Sequence, residues 1–282
     1  MAEAALDVVV VSYRCESLLR DCLQSLLANP PAGAMSVHVV DNASGDGTPD
    51  LVRAQAPEPR LIVNESNRGF AAAVNQAARM AGGRHLLLLN PDARPLPGCI
   101  SRLAAELDAH AEIALAGPQL LDPDGALQPS AWPAPGLLSL AYDALLLHNL
   151  MPRSRLRLVS APGHDPVDVE CLSGACLLVR RSAFEALGGL DERFFIYYED
   201  TDLAVRARAA GHRARLVPAA QAVHLVGGSS FQDRREFLAR FHESRRRFLA
   251  KHHRGLRGVA LRILHGAGFA VRATVDRLRG LV

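Results

Sequence analysis

The sequence predicts an α/β protein: a mixed, mainly parallel sheet with helices on both faces, followed by a helical tail. Over the first hundred residues, short runs of Val, Ile and Leu alternate with segments whose apolar residues recur at helical spacing. That alternation is the pattern of parallel strands joined by crossover helices. The apolar runs are continuous, as in strands covered on both faces. Beyond about residue 231 the strand pattern stops and long basic helical segments take over. With 282 residues, 49% hydrophobic and 22% charged, the chain can bury one large core and is not globally disordered. The expected division is a domain over residues 1–230 and a basic amphipathic helical tail over 231–282.

The elements follow in order. Leu6-Asp7-Val8-Val9-Val10-Val11 is a buried-strand run, and residues 15–28 place Leu18, Leu19, Cys22, Leu26 and Leu27 at helical spacing. Val37-His38-Val39-Val40 is a second strand, ending at Asp41. Gly45-Asp46-Gly47 breaks the chain, and Thr48-Pro49 predicts a helix start with Thr as cap and Pro at its first position. Leu61-Ile62-Val63 is a third strand. A helix over roughly 70–82 is stopped by Gly82-Gly83, and the fourth strand, Leu86–Leu89, ends at Asn90-Pro91-Asp92. Ser12, Asp41, Asn64 and Asp92 therefore fall at carboxyl ends of strands, where open sheets of this kind bind ligands. Residues 118–168, with Pro118, Pro123, Pro129, Pro133 and Pro135 around an apolar helical pattern at about 137–149, read as an insertion or lid. Regular patterning returns at 169–179, followed by helices near 182–187 and 199–210 and short strands near 213–217 and 221–225.

The net charge of +3 conceals an asymmetry. Residues 234–282 hold 13 Lys and Arg against Glu236, Glu243 and Asp276, a local excess of +10 that leaves −7 on the remainder. Such a tail points to an anionic partner, a membrane surface or a nucleic acid. The five cysteines are odd in number and lack CxxC spacing, so they read as reduced thiols packed in a cytoplasmic protein. Neither a signal peptide nor an apolar run of about 18 residues is evident, so no leader or transmembrane helix is expected.

Five clusters could carry chemistry. The Asp41–Thr48 turn offers a carboxylate to a ribose or to a pyrimidine N–H, although Asp, Ser and Gly are also ordinary turn residues. The first strand runs into Ser12-Tyr13-Arg14-Cys15 with no GxGxxG, which argues against a dinucleotide cofactor. In Asn67-Arg68-Gly69-Phe70, Gly69 permits close backbone approach, and Arg68 is either a surface residue or a contact to a base carbonyl or phosphate. Asp92, at the end of four leucines, either caps its turn or binds a divalent ion together with diphosphate oxygens. Between Gly188 and Leu203, five carboxylates fall within twelve positions beside four aromatics. Glu199, Asp200 and Asp202 suit a helix N-terminus, and one of them suits a general base. His224, ending a short strand, is either structural or a metal ligand if the fold brings it to Asp92.

Together, Val9–Tyr13, Val40–Ser44, Asn67–Phe70, Asn90–Asp92 and Tyr198–Leu203 resemble the family 2 glycosyltransferases with a GT-A (Rossmann-like) fold, in order and spacing over roughly residues 6–230. The resemblance implies that residues 1–230 are a catalytic domain using a nucleotide-sugar donor. Asp41 and Arg68 would hold the nucleotide, with Ser12, Tyr13, Asn42, Gly69, Asn90 and Pro91 beside them. Asp92 would bind Mg²⁺ or Mn²⁺ with His224, and Asn90 replaces the first aspartate of the family's DxD motif. Asp200, with Glu199 beside it, matches the catalytic base, and Ser173, Gly174, Ala175 and Asp191 fall on the sugar and acceptor side. One base and one displacement imply inversion. The processive branch carries QxxRW and membrane helices; the single tryptophan here, Trp132, lies in neither. The pattern is most similar to rhamnosyltransferases that use dTDP-L-rhamnose and a polyprenyl-diphosphate-linked or other glycan acceptor in cell-envelope synthesis. Galactofuranose, N-acetylglucosamine and mannose are the alternative donor sugars, and a non-catalytic nucleotide-sugar-binding relative is the alternative function.

In the tail, Leu256, Val259, Ala260, Ile263, Leu264 and Ala267 form one stripe, with Arg254, Arg257, Arg262 and His265 mostly outside it. Such a helix suits peripheral attachment at the inner face of the cell membrane, or packing on the domain or in a homodimer. No aromatics interleave with its arginines, so no nucleic-acid partner is expected.

Overall fold

The computed structural model describes residues 6–31, 33–55, 59–137, 139, 163–225 and 234–278. β1 (Leu6–Ser12), β2 (Met35–Asp41), β3 (Arg60–Val63) and β4 (His85–Leu89) are parallel neighbours in the order β3-β2-β1-β4. β10 (Cys176–Arg180) lies antiparallel between β4 and β6 (Ile113–Leu121). β11 (Arg213–His224) runs parallel to β6 and pairs antiparallel with β8 (Val167–Val169) and β5 (Ala93–Pro95). Six strands thus share one direction while β5, β8 and β10 oppose it, so the sheet is mixed and mainly parallel. β7 (Ala131–Trp132) and β9 (Cys171–Leu172) form a separate two-stranded ladder.

The continuous apolar runs are explained by the two covers. Val8, Val10, Leu87 and Leu89 face α1 (Glu16–Ala28), α2 (Thr48–Arg53) and α4 (Cys99–Ala109). Val9, Val11, Leu86 and Leu88 face α3 (Phe70–Ala78), α5 (Arg181–Ala186) and α6 (Glu199–Ala209). Successive side chains point to opposite faces, so these runs are apolar at every position. All five cysteines are buried and unbridged in this packing.

Several local expectations need correction. Thr48 is the first helical residue and does not cap: its N–H donates to Asp46 Oδ1 at 3.0 Å. α3 ends at Ala78, before the two glycines. Pro118 lies inside β6, and Val167–Val169 is an edge strand, so the irregular segment is shorter than 118–168. The helical pattern at 137–149 falls, apart from Leu137 and Ser139, outside the described residues. The regular stretch over 169–179 contains β9 and β10, separated by Ser173-Gly174-Ala175, and the two strands expected near 213–225 are one strand, irregular between Val217 and Gln221.

At the sheet's amino end, Asp7 is almost fully buried. Burial alone would raise its pKa, but His38 Nε2 at 2.7 Å and the N–H groups of Gly83 (2.6 Å) and Gly82 (2.9 Å) hold it below the usual value. Asp7→Ala leaves those donors and His38 buried without an acceptor. It is expected to destabilise the fold by about 3 kcal/mol or more, read as a lower urea midpoint. The stabilisation from a lowered carboxylate pKa is present above the unfolded value and is lost as pH falls through the folded one. The wild-type advantage should therefore shrink in acid.

The tail begins with α7 (Arg234–His252) and α8 (Gly255–Leu278). Phe248, Leu249 and Leu261 bury against Phe194, with Tyr198 and Leu264 packed at the margin. Among the described residues no helix is long and apolar enough to cross a membrane.

Candidate active site

Because β1, β2, β3 and β4 are parallel, their carboxyl ends share one edge, and Ser12, Asp41, Asn64 and Asn90 arrive there together. Ser12 and Asp41 are partners in the β1–β2 register. Asp41 Oδ1 accepts the N–H of Ser44 at 3.1 Å, and Ser44 Oγ accepts that of Arg14 at 3.0 Å, which closes the turn around the carboxylate. Asn42 is bonded within the fold. Its Oδ1 accepts from Asn64 Nδ2 (3.0 Å) and Arg68 N (3.1 Å), while its Nδ2 donates to Asn67 Oδ1 (3.0 Å) and Gly69 O (3.2 Å). The buried amide is spent on holding the 64–69 loop. Tyr13 is half-buried with Arg14 5.1 Å from its ring centroid, and Arg68 is exposed with no side-chain bond among the described residues. Gly69 has φ of +83°, and a Cβ there would lie 2.6 Å from Phe195 O, so only glycine fits.

Asp92 and His224 are brought together by β5, which pairs Ala93 with His224, and by a bond from Leu225 N to Asp92 O at 3.0 Å. Asp92 is buried, and His224 Nε2 lies 3.5 Å from its Oδ1. His224 Nδ1 sits 3.1 Å from Gln128 Oε1, and Gln128 Nε2 donates to Asp122 Oδ1 (2.6 Å) and His224 O (2.7 Å). With the amide so oriented, Oε1 must accept, which puts a proton on Nδ1 and turns Nε2 toward Asp92. An imidazole fixed this way by an outer partner is the usual build of a metal-binding histidine. One carboxylate and one imidazole nitrogen suit Mg²⁺ or Mn²⁺ when diphosphate oxygens supply further ligands. Among the described residues no cluster of three or more His, Cys, Asp or Glu could hold an ion alone. Nothing local in the sequence marks Gln128, whose role depends on a contact between distant segments.

Ser173-Gly174-Ala175, between β9 and β10, ties this centre to Asp200. Asn90 N donates to Ala175 O (2.9 Å), and Gly174 N donates to Asp200 Oδ2 (2.9 Å). A Cβ at Gly174 would come within 3.2 Å of Asp200 Oδ2. Asp200 Oδ1 accepts from Thr201 N (2.6 Å) and Thr201 Oγ1 (3.2 Å), and Trp132 Nε1–H lies 3.2 Å from that hydroxyl. Indole nitrogen only donates. The order is therefore fixed from Trp132 to Thr201 to Asp200, which gives the tryptophan a positioning role that sequence alone did not reveal. Burial pushes the Asp200 pKa above the usual aspartate value, against the pull of Gly174 and Thr201. Glu199 is buried, its Oε2 has no hydrogen-bond partner among the described residues, and burial plus the charge of Asp200 drive its pKa far up. The adjacent carboxyls thus differ: burial and the charge of Asp200 both favour the protonated form of Glu199, whereas Asp200 has the donors that stabilise its charged form.

Tyr197 and Tyr198, just before α6, have φ of +67° and +71°. Left-handed backbone at two aromatic residues costs on the order of 1–2 kcal/mol each and must be imposed by surroundings. α7 imposes it. Ser244 Oγ donates to Ile196 O at 2.7 Å, Tyr197 packs on Phe237 and Phe241, and Tyr198 packs on Phe241 and Phe248. Asp202 is fully buried, with Lys251 and His252 of α7 each 2.6 Å from Oδ1 and Arg206 2.7 Å from Oδ2. Burial acts to raise its pKa, and those partners hold it below the usual value. Asp191, expected on the sugar side, is taken by Arg193 and Lys251, which lower its pKa. Asp191 and Asp202 therefore anchor the tail beneath the turn that carries Asp200.

Comparison with known proteins agrees with this geometry. The family model for glycosyl transferase family 2 matches residues 7–188. The chain is 36% identical to an N-acetylglucosaminyl-diphospho-decaprenol L-rhamnosyltransferase of Mycobacterium tuberculosis, over 85% of this chain and 82% of that one. It is 25% identical to a dTDP-rhamnosyl transferase of Shigella flexneri, over 79% and 69% of the two chains. A mannosyltransferase from Pyrobaculum calidifontis, solved with GDP-Man and Mn²⁺, superposes with a TM-score of 0.62 over 97% of this chain and 76% of its own at 20% identity, which places the fold in the GT-A class. The sheet order, the site at the carboxyl edge and the matched family model agree: this chain belongs to glycosyl transferase family 2 and is a glycosyltransferase.

Proposed function

We propose that the chain is an inverting glycosyltransferase that moves L-rhamnose from dTDP-L-rhamnose to a hydroxyl of a polyprenyl-diphosphate-linked acceptor in cell-envelope synthesis. The identity to the mycobacterial enzyme, spread over most of both chains, carries the choice of donor and acceptor. The separated pair Glu199 and Asp200 carries the mechanism. A double displacement would need a nucleophile besides the base, and burial and the charge of Asp200 both disfavour an ionised Glu199 in that role.

In this reading Asp41, Arg68 and the Ser12-Tyr13 strand end bind the nucleotide, with Asn42 and Gly69 setting the loop that presents Arg68. Asp92 and His224 would hold a divalent cation, with Asn90 and Pro91 shaping that turn. When bound, the ion would neutralise charge developing on the leaving diphosphate. Asp200 accepts the proton of the acceptor hydroxyl as that oxygen forms its bond to the anomeric carbon. The bond from that carbon to the diphosphate oxygen breaks with its electron pair on the oxygen, and Asp200 later releases the proton to water. Gly174 and Thr201 hold the carboxylate through this exchange, and Ser173 and Ala175 line the sugar side. Residues 1–230 form the catalytic domain, and α7 of the 231–282 tail braces it. The enzyme works at the cytoplasmic face of the membrane, where a lipid-linked acceptor presents its sugar.

The donor is tested by incubating purified protein and a polyprenyl-diphosphate N-acetylglucosamine with dTDP-L-rhamnose, UDP-N-acetylglucosamine, UDP-galactofuranose or GDP-mannose. A rhamnosylated product by mass spectrometry, at least about tenfold faster than any other, is the expected result. Faster transfer from another donor would overturn the choice of sugar, and no transfer from any would favour a non-catalytic relative.

A further inference from the structure

α7 and α8 do not pack uniformly. A cleft of roughly 410 Å³ lies between them, lined by His242, Glu243, Arg246, Arg262, His265 and Phe269 among others. The Glu243 carboxylate is engaged by Arg247 at 2.6 Å. Arg246 and Arg262 have neither an ion pair nor a hydrogen bond among the described residues. The cleft therefore holds two guanidinium groups with no acid of their own.

Beside it runs an apolar ridge that nothing among the described residues covers. Leu256 is 89% exposed, Ile263 67% and Val259 44%. Leu261 and His265 form the buried side of α8. At about 100° per residue, Arg262 projects between that side and the ridge. The stripe read from the sequence is thereby divided. Leu264 turns toward the Phe194 cluster, while Leu256, Val259 and Ile263 face outward.

We infer that this face is a docking surface for an anionic lipid leaflet, with a lipid phosphate seated in the α7–α8 cleft between Arg246 and Arg262 and the Leu256/Val259/Ile263 ridge entering the acyl boundary. The inference deepens the membrane reading under Proposed function and rests on it. The local charge excess of +10 fits an anionic surface, and phosphate diester oxygens match guanidinium donors. A soluble anion would leave the ridge in water, whereas a leaflet uses both features at once. Because α7 also braces Tyr197, Tyr198 and Asp202, docking here places the surface against the helix that supports Asp200.

Full-length protein is sedimented with vesicles of phosphatidylcholine alone or with about a third phosphatidylglycerol. Wild type is expected to pellet with the anionic vesicles and to be released by salt. Each arginine near such a surface contributes about fivefold in affinity. The Arg246→Ala/Arg262→Ala double variant should therefore bind roughly twentyfold more weakly, and Ile263→Glu should also release the protein. Wild type remaining in the supernatant, or the double variant binding like wild type, overturns the inference. Thermal shift with dTDP and Mn²⁺ on the same preparations reports the donor site separately. Vesicle binding without a nucleotide response contradicts the enzymatic reading alone, and a nucleotide response without vesicle binding contradicts the surface alone.

Discussion

Asp200→Asn is expected to lower kcat by about 10²- to 10⁴-fold, the usual contribution of a positioned general base, while leaving donor binding close to wild type. The carboxylate sits between Gly174 N–H and Thr201, which hold it in place without using it up. The amide is nearly isosteric but cannot take a proton. Asp200 also has a raised pKa, so the wild-type rate should fall in acid with an apparent pKa above that of an ordinary aspartate. The base works deprotonated, and raising its pKa moves that acid limb upward. A variant that lost donor-induced thermal stabilisation as well as turnover would contradict the assignment, because a base is not needed to bind donor. Trp132, acting through Thr201, should shift the acid limb when changed to Phe, with little effect on donor KM.

Asp92→Ala is expected to abolish most of the metal-dependent stabilisation by dTDP. A nucleotide at 100 times its Kd stabilises the native state by about 2.7 kcal/mol; a 100-fold loss of affinity would leave about 0.4 kcal/mol. Removing a ligand should cost at least what removing its outer partner costs, about 10- to 100-fold. Gln128→Leu is the informative companion: it keeps Asp92 and His224 but removes the acceptor that fixes Nδ1–H. It should weaken the Mn²⁺ response by that 10- to 100-fold while leaving any metal-free nucleotide response alone. An Asp92→Ala protein with an unchanged Mn²⁺ dependence would remove the cation from this site.

The first four strands were legible because both faces of the sheet are covered, so Val8 to Val11 and Leu86 to Leu89 had to be apolar at every position. α4 and β6 were passed over: Ile113–Leu121 begins the proline-rich stretch, and Pro118 masks a buried central strand. The candidate site is legible where polar residues gather beyond strand ends, as Asp41 and Asp92 do. It was not legible where a residue acts through a partner far away in the chain. Asn42 reads as a ligand contact until its four bonds to the 64–69 loop are counted. Asp191 reads as a site carboxylate until Lys251 arrives from the tail. The left-handed Tyr197 and Tyr198 have no local sequence signal, since glycine is the residue that normally marks such backbone.

The most direct test of the central claim is the anomeric configuration of the product formed from dTDP-L-rhamnose on a polyprenyl-diphosphate acceptor, read by NMR at an early time point. Asp200 as the one base, beside a Glu199 whose ionisation burial disfavours, predicts a linkage of configuration opposite to that in the donor, and none when Asp200 is Asn. A product that retains the donor configuration, or transfer by Asp200→Asn at the wild-type rate, would contradict it.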